Sequence, residues 1–317
     1  MIRFGLCCIF FKEDIHFRTT TASFLLKKPL LFRKTYLSEI VLQNCENLKK
    51  ALLYCDTHKI GCFRITSRFF PLYTHPAIAY KIEDLPAAEK ILALFEEIKN
   101  LAHLKNIRLT MHPDQFVVLN SQSSKVVANS IRELEYHGLL AKLVGADVIN
   151  IHAGGAYGNK KEALSRLGIN LKKISLETRE KLSLENDDRS FSPEDLLPFC
   201  QKEKIPFVYD VHHHRCLKDS LSIEEATEKA LLTWNREPLF HLSSPKNGWK
   251  SKNIRSHADY IRIEDFPKHW LQIKKLTVEI EAKKKELAVI DLVNQLGIEI
   301  PSMSGDVHIV SLKRHNG

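Results

Sequence analysis

Short apolar runs alternate along this chain with longer segments in which apolar residues recur every three or four positions. The segments at 87–104 and 130–144 show the second pattern and predict helices. The short runs, rich in β-branched and aromatic residues, predict eight strands at 2–10, 62–66, 107–112, 146–152, 181–186, 206–212, 239–244 and 276–282. Strands that alternate with helices favour an α/β architecture, and eight strands are enough to close a (β/α)8 TIM barrel.

The length and composition are consistent with one large barrel. The chain has 317 residues, of which 44% are hydrophobic and 27% are charged, as in globular proteins. Barrels of this class commonly exceed ~250 residues as a single unit. We therefore predict a single domain over residues 1–317, in which the residues after about 285 form a closing helix and a tail. In such a barrel the active site lies at the C-terminal ends of the strands.

Charge and cysteine content add weaker indications. The net charge of +9 suits a polyanionic partner without requiring one. The seven cysteines form no CxxC pair, which favours a reducing compartment. No apolar run reaches the ~20 residues that cross a bilayer, and the N-terminal run is short, bulky and followed by charges, unlike a signal peptide. We predict a cytoplasmic protein without membrane contact.

Histidines and carboxylates cluster at the ends of the predicted strands. Because the carboxyl ends of all barrel strands meet at one rim, residues far apart in sequence become neighbours there. Two further histidines follow the second and seventh strands in loops. The residues with this placement are His75, His112, His152, Glu185, Asp210, His212, His213, His214, His241, His257 and Glu281.

Imidazoles and carboxylates without thiolates suit Mn²⁺, Zn²⁺ or Fe²⁺ better than a structural zinc site. The set is too large for one ion, so the sequence predicts two or three metals bridged by carboxylates. Three functions stay open from this pattern alone. The barrel could hydrolyse phosphodiesters, it could isomerise a sugar between aldose and ketose, or it could bind metal without catalysis.

Nine further motifs occur in order over most of the chain: FRITSRFFPLYTHP (63–76), MHPDQFVVLNS (111–121), SIRELEYH (130–137), IHAGGAYGNK (151–160), LENDDRSFSPEDLL (184–197), PFVYDVHHHRC (206–216), HLSSP (241–245), SHADYI (256–261) and EIEAKKKEL (279–287). This series of motifs resembles the UV damage endonuclease family. The resemblance implies a metal-dependent TIM barrel that nicks double-stranded DNA immediately 5′ of ultraviolet photoproducts. A barrel endonuclease acting on abasic sites is a related alternative.

The resemblance also implies a set of metal ligands. One tension arises in the sixth strand, because strand alternation would place His212, not His213, on the face of Asp210. We follow the resemblance, on the expectation that the strand ends before this point. The implied metal is Mn²⁺, with Zn²⁺, Mg²⁺ or Co²⁺ as alternatives, and the implied ligands are His75, His112, His152, Glu185, Asp210, His213, His241, His257 and Glu281.

Three further residues are expected to contact DNA. Gln115 and Phe116 are similar to a family pair that fills the gap left by extruded bases, and Arg215 is expected near phosphate. Two positions depart from the family: Leu6 replaces a common tyrosine, and Leu239 replaces a lysine found in several members. The first departure affects the expected lesion range, and the second predicts two firmly held metals with a labile third. We expect the protein to act as a monomer.

Overall fold

The computed structural model describes residues 2–298 as eight parallel strands that close into a barrel in the order of the sequence. The predicted TIM barrel is confirmed. The strands are β1 (Ile2–Cys7), β2 (Cys62–Ile65), β3 (Arg108–Met111), β4 (Val148–His152), β5 (Leu182–Glu185), β6 (Phe207–Asp210), β7 (Leu239–Leu242) and β8 (Leu276–Ile280). Most strand residues are buried, because the barrel interior covers one face of each strand and the helices cover the other.

Helices on the outside of the barrel connect most of the strands. They are α1 (Ala22–Leu26), α2 (Leu30–Thr57), α3 (Ala88–Leu104), α4 (Ser124–Val144), α5 (Lys160–Leu171), α6 (Leu176–Arg179), α7 (Pro193–Glu203), α8 (Val211–Cys216), α9 (Ile223–Leu231) and α10 (Glu286–Leu296). The predicted helix at 87–104 is one residue longer than α3. The one at 130–144 begins too late, since α4 already starts at Ser124.

The last helix, α10, begins close to residue 285, where the sequence predicts the closing helix to start. Its first residue, Glu286, is fully buried and accepts hydrogen bonds from the backbone N–H groups of Phe11 and Lys12 at 2.7 Å each. The segment after β1 is therefore fixed to the start of α10. The tail predicted beyond this helix lies, from residue 299 onward, outside the described residues. The division into a single domain stays a prediction.

The strand register brings the C-terminal residues of adjacent strands side by side. His152 of β4 pairs with Glu185 of β5, and Asp210 of β6 pairs with His241 of β7. His241 pairs in turn with Glu279 of β8. The register alone therefore places imidazoles and carboxylates on neighbouring strands at one end of the barrel.

The predicted sixth strand, at 206–212, is longer than the observed β6, which ends at Asp210. Helix α8 begins at Val211, and its N-cap is Asp210, whose side chain accepts the N–H of His213 at 2.7 Å. On a helix, residues three apart share a face, so His213 rather than His212 follows Asp210 toward the barrel axis. This change of backbone resolves the tension that strand alternation creates.

Candidate metal centre

Seven of the nine predicted ligands meet at the C-terminal rim of the barrel. Within the described residues they form three groups in which the donor atoms lie within 4.8 Å of one another. Glu185 belongs to the first two groups and Asp210 to the last two. The groups are His112, His152 and Glu185; Glu185, Asp210 and His213; and Asp210, His241 and Glu281.

Glu185 lies at the centre of the arrangement and is almost fully buried. Its Oε2 lies 3.0 Å from His112 Nε2 and 4.0 Å from His152 Nε2. Its Oε1 lies 3.2 Å from His213 Nδ1 and 3.1 Å from His241 Nδ1. The two carboxylate oxygens therefore face different pairs of imidazoles, which is the geometry expected of a bridging ligand.

Two buried donor atoms of the third group have no hydrogen-bond partner. These atoms are Asp210 Oδ2 and His241 Nδ1. Buried polar atoms are normally hydrogen-bonded, and an unpaired buried charge is costly. Oxygen and imidazole nitrogen are also the donors that Mn²⁺ and Zn²⁺ accept. The residues present therefore fit a divalent metal.

The charges of the cluster shift one another strongly in the metal-free protein. Burial would lower the pKa of His241, but the Glu185 carboxylate beside it raises that pKa to about 10. Burial would raise the pKa of Glu185, but His241 and the other imidazoles hold it well below its usual range. His213 and His241, whose pKa values are both raised by neighbouring carboxylates, thus occupy the positive role that a bound cation would fill.

His257 and His75 join none of the three groups. His257 Nδ1 lies 3.9 Å from Glu281 Oε2, at the edge of the cluster. His75 lies in the loop after β2, where it lines a surface depression together with Asp114 and Phe116 of the next loop. Their assignment as ligands stays a prediction.

His212 packs against the rings of Trp249 and of the predicted ligand His257. It is fully buried, and its ring centre lies 5.2 Å from that of Trp249 and 5.3 Å from that of His257. Burial lowers its pKa. His214 is also held inside the protein, between the Tyr209 hydroxyl at 2.7 Å and Asp219 at 2.9 Å. His214 therefore supports the rim by hydrogen bonding, whereas both ring nitrogens of His212 are buried without a hydrogen-bond partner.

The residues predicted to contact DNA have contrasting environments. Gln115 and Phe116 lie in the loop after β3, and the aromatic ring of Phe116 is 77% exposed. Arg215 instead donates to the carbonyl oxygen of Asp265 at 2.8 Å and stacks over Trp249. The loop is thus free to meet a partner, whereas Arg215 serves an internal role, and its contact with phosphate stays a prediction.

Comparison with known proteins settles the family. The model of the family described as "UV-endonuclease UvdE" matches residues 2–308. The chain belongs to the UvdE family. The UV DNA damage endonuclease of Bacillus mycoides (strain KBAB4) is 36% identical over 277 residues, covering 83% of this chain and 84% of that protein.

Solved structures agree with this assignment. The crystal structure of SacUVDE superimposes with a TM-score of 0.82 at 28% identity, covering 94% of this chain and 98% of SacUVDE. Endonuclease IV from Thermus thermophilus has a TM-score of 0.61 at 14% identity, covering 93% of this chain and 99% of that one. The second similarity shows a shared fold alone.

Sequence reasoning missed three polar residues that support the cluster of this UvdE-family member. Asn150 of β4 donates to Glu185 Oε2, and Arg64 of β2 contacts His241, Glu279 and Glu281. All three lie inside strands whose other residues are mostly apolar, and they are Arg64, Asn150 and Glu279. Burial of a charged or amide side chain costs free energy unless the side chain has a hydrogen-bond partner. Such a residue in an apolar strand therefore indicates a buried partner, and this signal could have identified all three.

Proposed function

We propose that this UvdE-family chain is a metal-dependent DNA repair endonuclease that nicks the backbone immediately 5′ of ultraviolet photoproducts. The observation that carries the proposal is the chain of three donor groups linked through Glu185 and Asp210. Groups linked by shared carboxylates suit two or three neighbouring divalent metals, with Mn²⁺ as the first candidate. The family match over the whole barrel favours this activity over sugar isomerisation.

Each group would contribute its own residues to metal binding. His112 and His152 would serve one position, His213 a second, and His241 with Glu281 a third, while Glu185 and Asp210 bridge between positions. Bound metals of this kind activate a water molecule and stabilise the departing oxygen of a phosphodiester. Asn150 donates to Glu185 and keeps its carboxylate aimed at the imidazoles.

Positive charge beside the cluster suits a phosphate backbone. Lys283 and Lys285 follow β8 and line one cleft together with His257 and Glu281. Lysines at such a site attract DNA through its phosphates without reading its sequence. They would hold the scissile strand against the donor groups.

The exposed loop after β3 is the proposed site of damage recognition. Phe116 presents an aromatic face to solvent next to Gln115 and close to the rim. A lesion weakens base stacking, so an aromatic side chain can replace the displaced bases at lower cost than in intact DNA. Phe116 would stack on the neighbouring pair while Gln115 offers hydrogen bonds to base edges.

The proposed partner is double-stranded DNA with ultraviolet damage. We propose that the protein acts on it as a monomer in the cytoplasm. None of the described helices is both long and apolar enough to cross a membrane. Size-exclusion chromatography with light scattering would test the monomer.

An incision assay tests the function directly. The substrate is an end-labelled duplex with a single photoproduct, incubated with and without Mn²⁺ and compared with an intact duplex and one carrying an abasic site. We expect one product whose length ends immediately 5′ of the photoproduct, formed only with metal. Cutting of the abasic duplex alone would favour the abasic-site alternative. Sugar isomerisation without any incision would contradict the proposal.

A further inference from the structure

A lysine-rich loop at residues 245–257, called here the β7 loop, follows the seventh strand. Because β7 ends at Leu242, the loop leaves the barrel at the C-terminal rim, the end that holds the candidate metal centre. The β7 loop contains no aspartate or glutamate, and its cations are Lys246, Lys250, Lys252 and Arg255. It therefore adds net positive charge to the rim.

The two ends of the β7 loop are held together. Pro245 and His257, its first and last residues, form an isolated antiparallel bridge. Arg262 Nη1 also donates to the carbonyl oxygen of Pro245 at 2.7 Å. Compact surface loops whose ends lie close together often carry function.

The rest of the β7 loop is also attached to the barrel. Trp249 Nε1 donates to Asp265 Oδ1 at 2.7 Å, and its ring packs against that of His212 in α8. Arg255 forms an ion pair of 3.1 Å with Asp188, in the segment after β5. The loop thus contacts the two segments that follow β5 and β6, the strands that end in the shared candidate ligands.

None of these attachments uses a lysine side chain. Lys246, Lys250 and Lys252 are exposed, and within the described residues their ammonium groups make no ion pair or hydrogen bond. Another lysine at this rim, Lys160, has a carboxylate partner, since it lies 2.6 Å from Asp195. The β7 loop therefore presents three unpaired cations on a backbone that the protein holds in place.

The chemistry of the β7 loop suits a polyanion rather than an apolar partner. None of its large apolar side chains is exposed. The end of the loop, Ser256 and His257, lines one cleft with Lys283 and Lys285, which follow β8. The loop lysines thus extend the positive surface of that cleft along the rim. Lysines of this kind bind phosphates as point charges and do not read base sequence.

We propose that the β7 loop binds the phosphate backbone of duplex DNA through Lys246, Lys250 and Lys252. The inference rests on the proposed endonuclease function and separates two contributions to DNA binding. The β7 loop supplies affinity for the backbone, equally for intact and damaged duplex. The exposed Phe116, in the loop after β3, supplies the preference for damage.

The salt dependence of binding measures phosphate contacts. Each contact changes the slope of log K against log salt concentration by about 0.9, because bound lysines release counterions from DNA. The variant Lys246→Gln/Lys250→Gln/Lys252→Gln should therefore have a slope shallower by about 2.7. Over a four-fold rise in salt, the unchanged protein should lose about 40-fold more affinity than this variant. Fluorescence anisotropy with a labelled duplex at increasing KCl concentration measures both slopes.

Two further variants separate specific contacts from net charge. Arginine at the same three positions keeps the charge, so Lys246→Arg/Lys250→Arg/Lys252→Arg should keep the slope. Lys172→Gln/Lys173→Gln/Lys202→Gln removes the same charge from exposed residues at the C-terminal ends of α5 and α7. These helix ends lie at the N-terminal end of the barrel, so this variant should also keep the slope.

The comparison of intact and damaged duplex completes the test. In the glutamine variant of the β7 loop, affinity should fall by the same factor for both duplexes, metal retention should not change, and incision should show a higher KM with an unchanged kcat. A slope equal to that of the unchanged protein, or a loss confined to damaged DNA, would overturn the proposal. An unchanged protein that neither binds nor cuts duplex DNA would instead overturn the proposed function.

Discussion

The two ends of the barrel both carry buried charged groups, but they differ in how those groups are hydrogen-bonded. At the N-terminal end, Arg108 binds Asp147, the carbonyl oxygen of Pro238 and the hydroxyl of Thr277, all within 3.1 Å. At the C-terminal end, carboxylates and imidazoles lie close together, and Asp210 Oδ2 and His241 Nδ1 are buried without a hydrogen bond. The charge of Arg108 is thus paired within the protein, whereas the C-terminal cluster keeps buried polar atoms that make no hydrogen bond.

This difference suits a barrel whose N-terminal end contributes to stability and whose C-terminal end carries the candidate site. The contacts of Arg108 connect β3 to the residues before β4 and β7, and they need no ligand to balance them. The C-terminal cluster has excess acceptors, which a cation from outside would balance. Buried atoms without partners that lie beside carboxylates and imidazoles, as Asp210 Oδ2 and His241 Nδ1 do, therefore mark the candidate site.

The largest effect is expected from Glu185→Gln. The amide keeps the shape of the side chain but removes the charge that bridges two donor groups, so metal retention and incision should fall at least about 100-fold. Elemental analysis and the incision assay measure both. Glu286→Gln, which alters another buried carboxylate outside the three groups, is the matched control and should keep its metal. Unchanged metal retention and incision in Glu185→Gln would contradict the proposed difference between the two ends of the barrel.

Removing the metal should make the C-terminal end sensitive to alkaline pH. His241 has a pKa of about 10 in the metal-free fold, above its unfolded value, so its contribution to stability is complete below about pH 6.5 and disappears as the pH rises through 10. The unfolding free energy of EDTA-treated protein should therefore fall between about pH 7 and pH 10. Urea denaturation measures it.

The matched variant for this experiment is His241→Gln, which lacks the titrating group and should lose less stability over the same range. The N-terminal pair should contribute nothing to the decline, because Asp147 raises the pKa of Arg108 further above its ordinary value, against the effect of burial. The same alkaline loss in both proteins would show that His241 is not its source.

Phe116→Ala should affect damaged DNA without affecting metal. Stacking of an aromatic side chain on a base contributes about 1–3 kcal/mol, so binding to a duplex with one photoproduct should weaken roughly ten-fold. Fluorescence anisotropy against an intact duplex measures the discrimination. Loss of metal in this variant would show that the loop is structural, and unchanged discrimination would exclude Phe116 from recognition.

Arg108→Met tests the N-terminal end alone. Asp147 is partly exposed, so the loss of their ion pair is screened by solvent, and we expect a destabilisation of about 1–2 kcal/mol. Incision by the folded protein should be unchanged. A drop in incision beyond what the unfolded fraction explains would mean that the two ends are coupled.

The smallest effect is expected from Leu239→Lys. A lysine at this position points to the same side of β7 as His241 and could add charge beside the third donor group. We expect a modest gain in retained metal after dialysis, because the third metal is predicted to be labile in the unchanged protein. Three firmly retained metals in the unchanged protein would refute that prediction.

The sequence predicted the fold well because the strand and helix periodicities are strong. All eight strands were placed, and the residues at their ends, such as Glu185 and His241, were identified as neighbours. This worked because the barrel topology fixes which ends meet. Boundaries were less certain, since the change from β6 to α8 at Asp210 depends on one capping side chain.

The supporting residues were harder to predict. Arg64 and Glu279 lie inside strands, and their meaning depends on a contact between residues 215 positions apart. His75 and Phe116 raise a different difficulty, because loop conformation is not determined by periodicity. The sequence therefore points to candidate ligands, whereas the groups that orient them emerge only from the packed barrel.

The carboxylate of Asp210 has one oxygen committed to helix α8 and the other directed at the cluster. A shared group of this kind links helix capping to ligand binding, since an ion that holds one oxygen also restricts the orientation of the oxygen that caps the first turn. Amide hydrogens in α8 should therefore exchange more slowly with solvent as the cluster fills. A protein engineer who moves these ligands to another barrel would have to transplant the helical turn along with the aspartate.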